Sequence, residues 1–258
     1  MASDHGEASP TVWAAVPLCH RYHVVQLNSL NVSLERDASE SHVWAVGFLG
    51  EDESEALGTW PGSSREIFDD LKHRGVEKIR FLVCDDPSEL RADACAAYPG
   101  TTVLPSLGHL LQQSVARVAS RHRRLLTDAI GNIGLHSTFD AARDALSELA
   151  AGPFGAAYPA VVERWATAVT DLEPLYALTL RLRRVLLKGD DVVQQLQQRV
   201  TRAVDRHGPF DDRESALAFV TAELRRAERL VDATGAKRAP VAKGVFARPS
   251  LAIQAPAS

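Results

Sequence analysis

Long apolar runs are absent from this chain, and their absence removes a membrane-spanning helix from consideration. Cysteine is scarce as well. Cys19, Cys84 and Cys95 are the only three, none forms a CxxC pair, and an odd count makes a poor disulfide framework. A reducing cytoplasm is therefore the expected compartment. The first residues are polar and acidic (Asp4, Glu7), unlike a signal peptide. A surplus of positive charge is missing too: the net charge is -4, so no global field draws in nucleic acid, and DNA contact would need a local basic patch. No internal repeat and no long flexible linker interrupts the chain.

What is present suits a globular protein. The 258 residues are 45% hydrophobic and 24% charged, enough for a sizeable core. Tyr22–Asn28 reads as a strand that continues through Leu30, Val32 and Leu34, alternating with Asn31 and Ser33. His42–Leu49 and Ala56–Trp60 follow after short turns, which predicts an antiparallel meander. Ser63 or Ser64 caps a helix that stops at Gly75. The next strand, Val76–Cys84, is reached by a helical crossover and so runs parallel to a strand of the meander. Pro87 and Ser88 open a helix, and Thr101–Leu104 is a last short strand.

From about residue 107 onward only helical spacing is found. The pattern predicts an apolar helix over Pro174–Leu187, a new helix from 192 to 206 capped by Asp190 or Asp191, and a final helix from about 213 to 233 capped by Asp211 or Asp212. The expected division is a tail (1–10), a sheet core (11–106), a helical insertion (107–188), helices completing the core (189–234) and a basic tail (235–258).

The strand Lys78–Cys84 ends in Asp85-Asp86, and strand ends are where ligands collect in an open α/β sheet. The surrounding residues carry a resemblance. Trp44-Ala45-Val46-Gly47-Phe48, then Ala56-Leu57-Gly58-Thr59-Trp60-Pro61-Gly62, resemble the second and third strands of the catalytic region of bacterial Mutator-type transposases. Asp70–Val76, Cys84-Asp85-Asp86, Ala96–Gly100, Tyr158-Pro159, Trp165 and Gly208-Pro209-Phe210 with Glu214–Leu217 continue it in order, over roughly residues 22–233. The resemblance implies an α/β fold of ribonuclease-H-like type: an antiparallel three-strand meander plus parallel strands, with a large all-helical insertion. It also implies two aspartates and a glutamate that hold divalent ions for two-metal DNA strand transfer.

Carried across position by position, the first aspartate falls on Asn28, the second on Asp86 and the glutamate on Gln194. A Cys-x-x-His element reads Ser106-Leu107-Gly108-His109, which keeps the histidine alone. Two of three carboxylates have become amides, which can coordinate a metal but bring no charge. The implied protein is thus a degenerate, catalytically inactive transposase domain that lacks the family's N-terminal DNA-recognition region. It needs no cofactor; Mg²⁺ enters only if the site is still active. Its implied partners are DNA and a second copy or a related transposase, not a membrane.

Candidate phosphate contacts are Arg117, Arg121 and Arg124 on one helix region and Arg199, Arg202 and Arg206 on another. Plainer readings stand beside these: Asp86 as the cap of the helix at Pro87, His109 packed under the sheet, Cys84 and Cys95 as buried small hydrophobes, and the arginines as solvated helix faces. The competing function is a repurposed small-molecule enzyme using the former metal cleft around Asn28, Asp86, His109 and Gln194.

Overall fold

The structure, a computed structural model, describes residues 17–35, 38–50, 53–61, 63–130 and 133–234. Both expected tails, 1–10 and 235–258, lie outside the described residues.

Strands buried on both faces build the sheet. Strands β1 (Arg21–Leu34), β2 (Ala38–Phe48) and β3 (Ser54–Trp60) form the antiparallel meander. Helix α1 (Ser64–His73) then crosses over to β4 (Lys78–Cys84), which pairs parallel with β1. Ser63 caps α1 in a reciprocal box with Glu66, and Gly75 follows its end at φ 99°, a conformation that costs glycine little. Helix α2 (Pro87–Ala97) leads to β5 (Thr102–Pro105), parallel to β4. The sheet order is β3-β2-β1-β4-β5, a mixed five-stranded sheet in an α/β molecule.

Each face of the sheet has its own core. Val25, Leu27, Ile79, Leu82 and Cys84 pack on Ile67, Phe68 and Leu71 of α1 and Ala94 of α2. Their alternates, Val24, Leu30, Val32, Phe81 and Val83, face the opposite way, onto two late helices, α9 (Leu180–His207) and α10 (Arg213–Thr234). Between β5 and α9 lie α3 (Leu107–Ala116), α4 (Ser120–Ile130), a 3₁₀ turn (Ile133–Leu135), α5 (Phe139–Ala151), α6 (Pro153–Ala157), α7 (Pro159–Asp171) and α8 (Glu173–Tyr176). These helices share a third core around Leu126, Leu146, Phe154 and Trp165, and the Trp165 indole donates to Ser114 Oγ at 2.9 Å.

Two expectations are corrected here. The helix break expected at Asp190-Asp191 does not exist. The chain breaks earlier, after α8, and Thr179 caps a single 28-residue helix. The reason is the buried stripe Leu186, Val193, Leu196, Val200 and Val204: Leu186 and Val193, seven residues apart, keep one helical phase on either side of that point. This one helix crosses the boundary expected between insertion and C-terminal helices. Cys84 is buried as expected, whereas Cys95 is exposed on α2.

Phe210 ties the far end of the helical pair to the sheet. Its amide donates to Ser33 O at 2.9 Å and its carbonyl accepts from Glu35 at 2.8 Å. Among the described residues no helix is long and apolar enough to cross a membrane.

Candidate functional site

Strand parity decides which side chains meet. On β1 the even positions from Val24 to Val32 lie on the face toward α9, and Asn28 is among them, buried at 4% exposure. In the second half of β4, Phe81 and Val83 face α9 while Leu82 and Cys84 face α1, and the alternation continues to Asp85 just beyond the strand. Asp85 Oδ2 accepts from the Ser29 amide at 3.3 Å, which ties the end of β4 to the middle of β1. Its other oxygen lies 3.3 Å from His109 Nδ1. His109 is held in the first turn of α3, where Ser106 Oγ accepts its amide proton at 3.1 Å and the Gln113 side chain contacts Nε2. The Ser106 amide donates in turn to Cys84 O at 2.9 Å, so the α3 cap is registered to the end of β4.

Helix α9 closes the site from above. Gln194, Gln197, Gln198 and Thr201 recur at i, i+3, i+4 and i+7 and so share one face. Gln197 is pinned: its Oε1 accepts from the Trp44 indole at 2.8 Å and its Nε2 donates to Ser29 O at 3.1 Å. The resulting cleft of about 330 Å³ is lined by Asn28, Ser29, Asp85, His109, Gln194 and neighbouring α9 residues as far as Arg202.

Asn28, His109 and Gln194 are thus brought together as the resemblance implies, but the carboxylate beside them is Asp85. Asp86 is turned away. It is exposed and caps α2, accepting from the Ser88 amide at 2.9 Å and the Ser88 hydroxyl at 2.6 Å. Those bonds hold its carboxyl below the usual carboxylate range. Cys84 adds no nucleophile, because burial pushes its thiol up to about 12.

The donor set does not suit a pair of hard divalent ions. Such ions need several anionic oxygens, and this cleft offers one carboxylate, one imidazole and neutral amides. Among the described residues no group of three or more His, Cys, Asp or Glu is placed to hold a metal ion. Chemically the cleft can donate and accept hydrogen bonds on several sides while carrying little charge.

The arginines divide into two groups. Arg117, Arg121 and Arg124 are exposed around the α3–α4 junction; Arg124 lies 3.7 Å from Asp128, and Arg121 donates to His122 Nε2 at 3.3 Å. Arg199, Arg202 and Arg206 line a groove of about 640 Å³ between α9 and α10, together with Arg226, Asp205 and Glu223. Arg226 is 3.6 Å from Glu223, while Arg199 and Arg202 have no ion-pair partner among the described residues. Arg202 belongs to both the groove and the cleft.

Sequence reasoning put the carboxylate at Asp86 rather than at Asp85, and it missed Ser29, Gln112, Gln197, Gln198 and Thr201. The available signal was the α9 spacing and the parity of Phe81 and Val83, once it is known which sheet face α9 covers.

An α/β domain with a strand-end cleft and an adjoining arginine groove is thereby defined. Residues 5–230 match the family described as Transposase, Mutator family, and the chain belongs to that family. It is 25% identical over 224 residues to the transposase for insertion sequence element ISRM3 of Rhizobium meliloti, covering 83% of this chain and 56% of that protein. A probable insertion-element transposase of Corynebacterium diphtheriae is 26% identical over 241 residues, 90% of this chain and 69% of its own. The chain thus spans little more than half the length of its rhizobial relative.

Proposed function

We propose that this chain is a Mutator-family transposase domain that binds DNA through the α9–α10 groove and does not carry two-metal strand transfer. The observation that carries the first half is the groove itself: Arg199, Arg202, Arg206 and Arg226 converge on one solvent channel, with Arg199 and Arg202 uncommitted to any carboxylate among the described residues. Donor chemistry supports the second half. Where the resemblance implies three carboxylates, the cleft holds Asn28, Asp85 and Gln194, too little anionic charge for two Mg²⁺ ions. The sheet order β3-β2-β1-β4-β5, with a long insertion before the helix bearing Gln194, is in keeping with a ribonuclease-H-like arrangement. A second copy or a related transposase is the protein partner proposed by the same ancestry.

The small-molecule alternative gains the convergence of Asn28, His109 and Gln194, but the lining is amide-rich where an apolar wall would favour a substrate pocket. The test is an electrophoretic shift with duplex DNA at low salt, comparing the wild type with an Arg199→Ala/Arg202→Ala/Arg206→Ala variant. Binding by the wild type that the variant loses supports the reading; no shift by the wild type ends it. Calorimetric titration with Mg²⁺ or Mn²⁺ examines the second half. Tight binding abolished by Asp85→Ala would overturn the inactive assignment.

A further inference from the structure

The cleft and the groove share Arg202, and their chemistries differ sharply on its two sides. On one side are arginines. On the other are carboxamides: Gln112, Gln194 and Gln198 line the cleft, and none of the three has a side-chain hydrogen-bond partner among the described residues. A free carboxamide presents a donor and an acceptor side by side, the pattern that matches the edge of a nucleobase. The cleft lies at the small-ligand end of pocket sizes, room for one planar heterocycle rather than a duplex. Asp85 at its floor opposes entry of a phosphate, whereas the arginines beyond Arg202 attract one.

From this juxtaposition we propose that the cleft takes the base of one unpaired nucleotide, with the Gln194 and Gln198 amides on its edge and Arg202 on its phosphate. This rests on the reading of the groove as a nucleic-acid surface, along which the flanking phosphates then run past Arg199 and Arg206. A base still paired within a duplex cannot enter, because its edge is occupied and its ring is stacked. The site therefore selects a single strand, a flipped base or a free nucleotide over intact duplex. Gln197 is a positioning residue: bonded to Trp44 and Ser29, it fixes the rotation of α9 that aims Gln194 and Gln198 inward.

The experiment uses the full chain and fluorescence anisotropy with four probes: a labelled 15-nucleotide single strand, the same strand with abasic sites throughout, the corresponding duplex, and fluorescently labelled dAMP titrated directly. A base–amide pairing predicts that the natural single strand binds about tenfold tighter than the abasic strand. The Gln194→Leu/Gln198→Leu variant loses that preference while duplex binding holds. The abasic comparison uses the unaltered protein, so it stands even if the variant folds poorly. Equal binding of single strand, abasic strand and duplex overturns the inference and leaves the groove reading intact. Binding of dAMP without any oligonucleotide binding supports the nucleotide site, names the free nucleotide as its source and removes the groove reading. Binding of none of the four overturns both.

Discussion

A carboxylate at a helix cap and a carboxylate at the floor of a cleft respond differently to removal, and Asp86 and Asp85 provide that contrast one residue apart. Asp86→Ala removes the oxygen that accepts from the Ser88 amide, so the expected cost is ~0.5–2 kcal/mol of stability, read by urea unfolding at pH 7. Nucleotide and DNA binding should be unchanged. The pH dependence has a definite sign. Because the folded pKa lies below the ordinary 3.8, the cap's contribution is present above that value and drains as pH falls through the folded pKa. Wild type and variant should therefore converge in strongly acid solution. Asp85→Ala is expected to spare α2 and to disturb the cleft, since it leaves the Ser29 amide and His109 without their carboxylate. A variant pair with the opposite pattern would mean that the cleft carboxylate is misidentified.

His42 supplies a second residue-scale prediction. Its side chain is fully buried on β2, and neither ring nitrogen has a hydrogen-bond partner among the described residues. Glu40 lies 3.8 Å away but is already gripped by Arg213 at 2.6 Å. Burial holds the imidazole pKa below 6.5, so the folded state refuses a proton that the unfolded chain accepts. Stability is then complete above 6.5 and declines as pH falls below it, a loss to which the buried part of His23 adds with the same sign. Urea midpoints measured at pH 7.5 and 5.5 should fall in the wild type and fall less in His42→Leu.

At the scale of elements, Arg183 shows how the helical insertion is fastened to α9. Its guanidinium is buried and donates to Gly134 O at 3.3 Å and His136 O at 2.6 Å, with the Tyr176 ring 5.1 Å from its centre. Tyr176 OH donates to Ile133 O, so the 3₁₀ turn is held from two sides. Arg183→Met should cost ~1–3 kcal/mol by stranding those carbonyls, with loss of protection from hydrogen exchange concentrated around residues 133–136.

The same helix marks where sequence reading ran short. The meander, the parallel β4 and the Ser63 cap were legible, because strand patterning and cap residues act locally. The unbroken α9 was not, because Gly189-Asp190-Asp191 has the composition of a helix start while the stripe that overrides it is tertiary. The site was half legible for a related reason. Alternation says that Asp85 and Asp86 point to opposite faces, but only the packing of α9 says which face holds Gln194.

For the whole molecule the net charge of -4 sets the terms of any DNA encounter. A protein of that balance does not draw a polyanion from a distance, so affinity must come from the groove at contact. There four arginines face Asp205 and Glu223. If Arg199, Arg202 and Arg206 each neutralise one phosphate of a duplex, the slope of log K against log salt is about -3, at roughly -0.9 per phosphate, and is lower per contact for a single strand. Removing Arg202 and Arg206 together should flatten the slope by about 2 units, whereas Arg117→Ala/Arg121→Ala, on the insertion, should leave it unchanged if the groove alone carries the backbone. Anisotropy titrations between 25 and 200 mM salt (values of about this range suffice to define the slope) read this directly. A slope that responds to Arg117 and Arg121 but not to Arg202 and Arg206 would move the DNA path onto the helical insertion, away from the cleft, and would separate the amide-lined site from any strand bound to the protein.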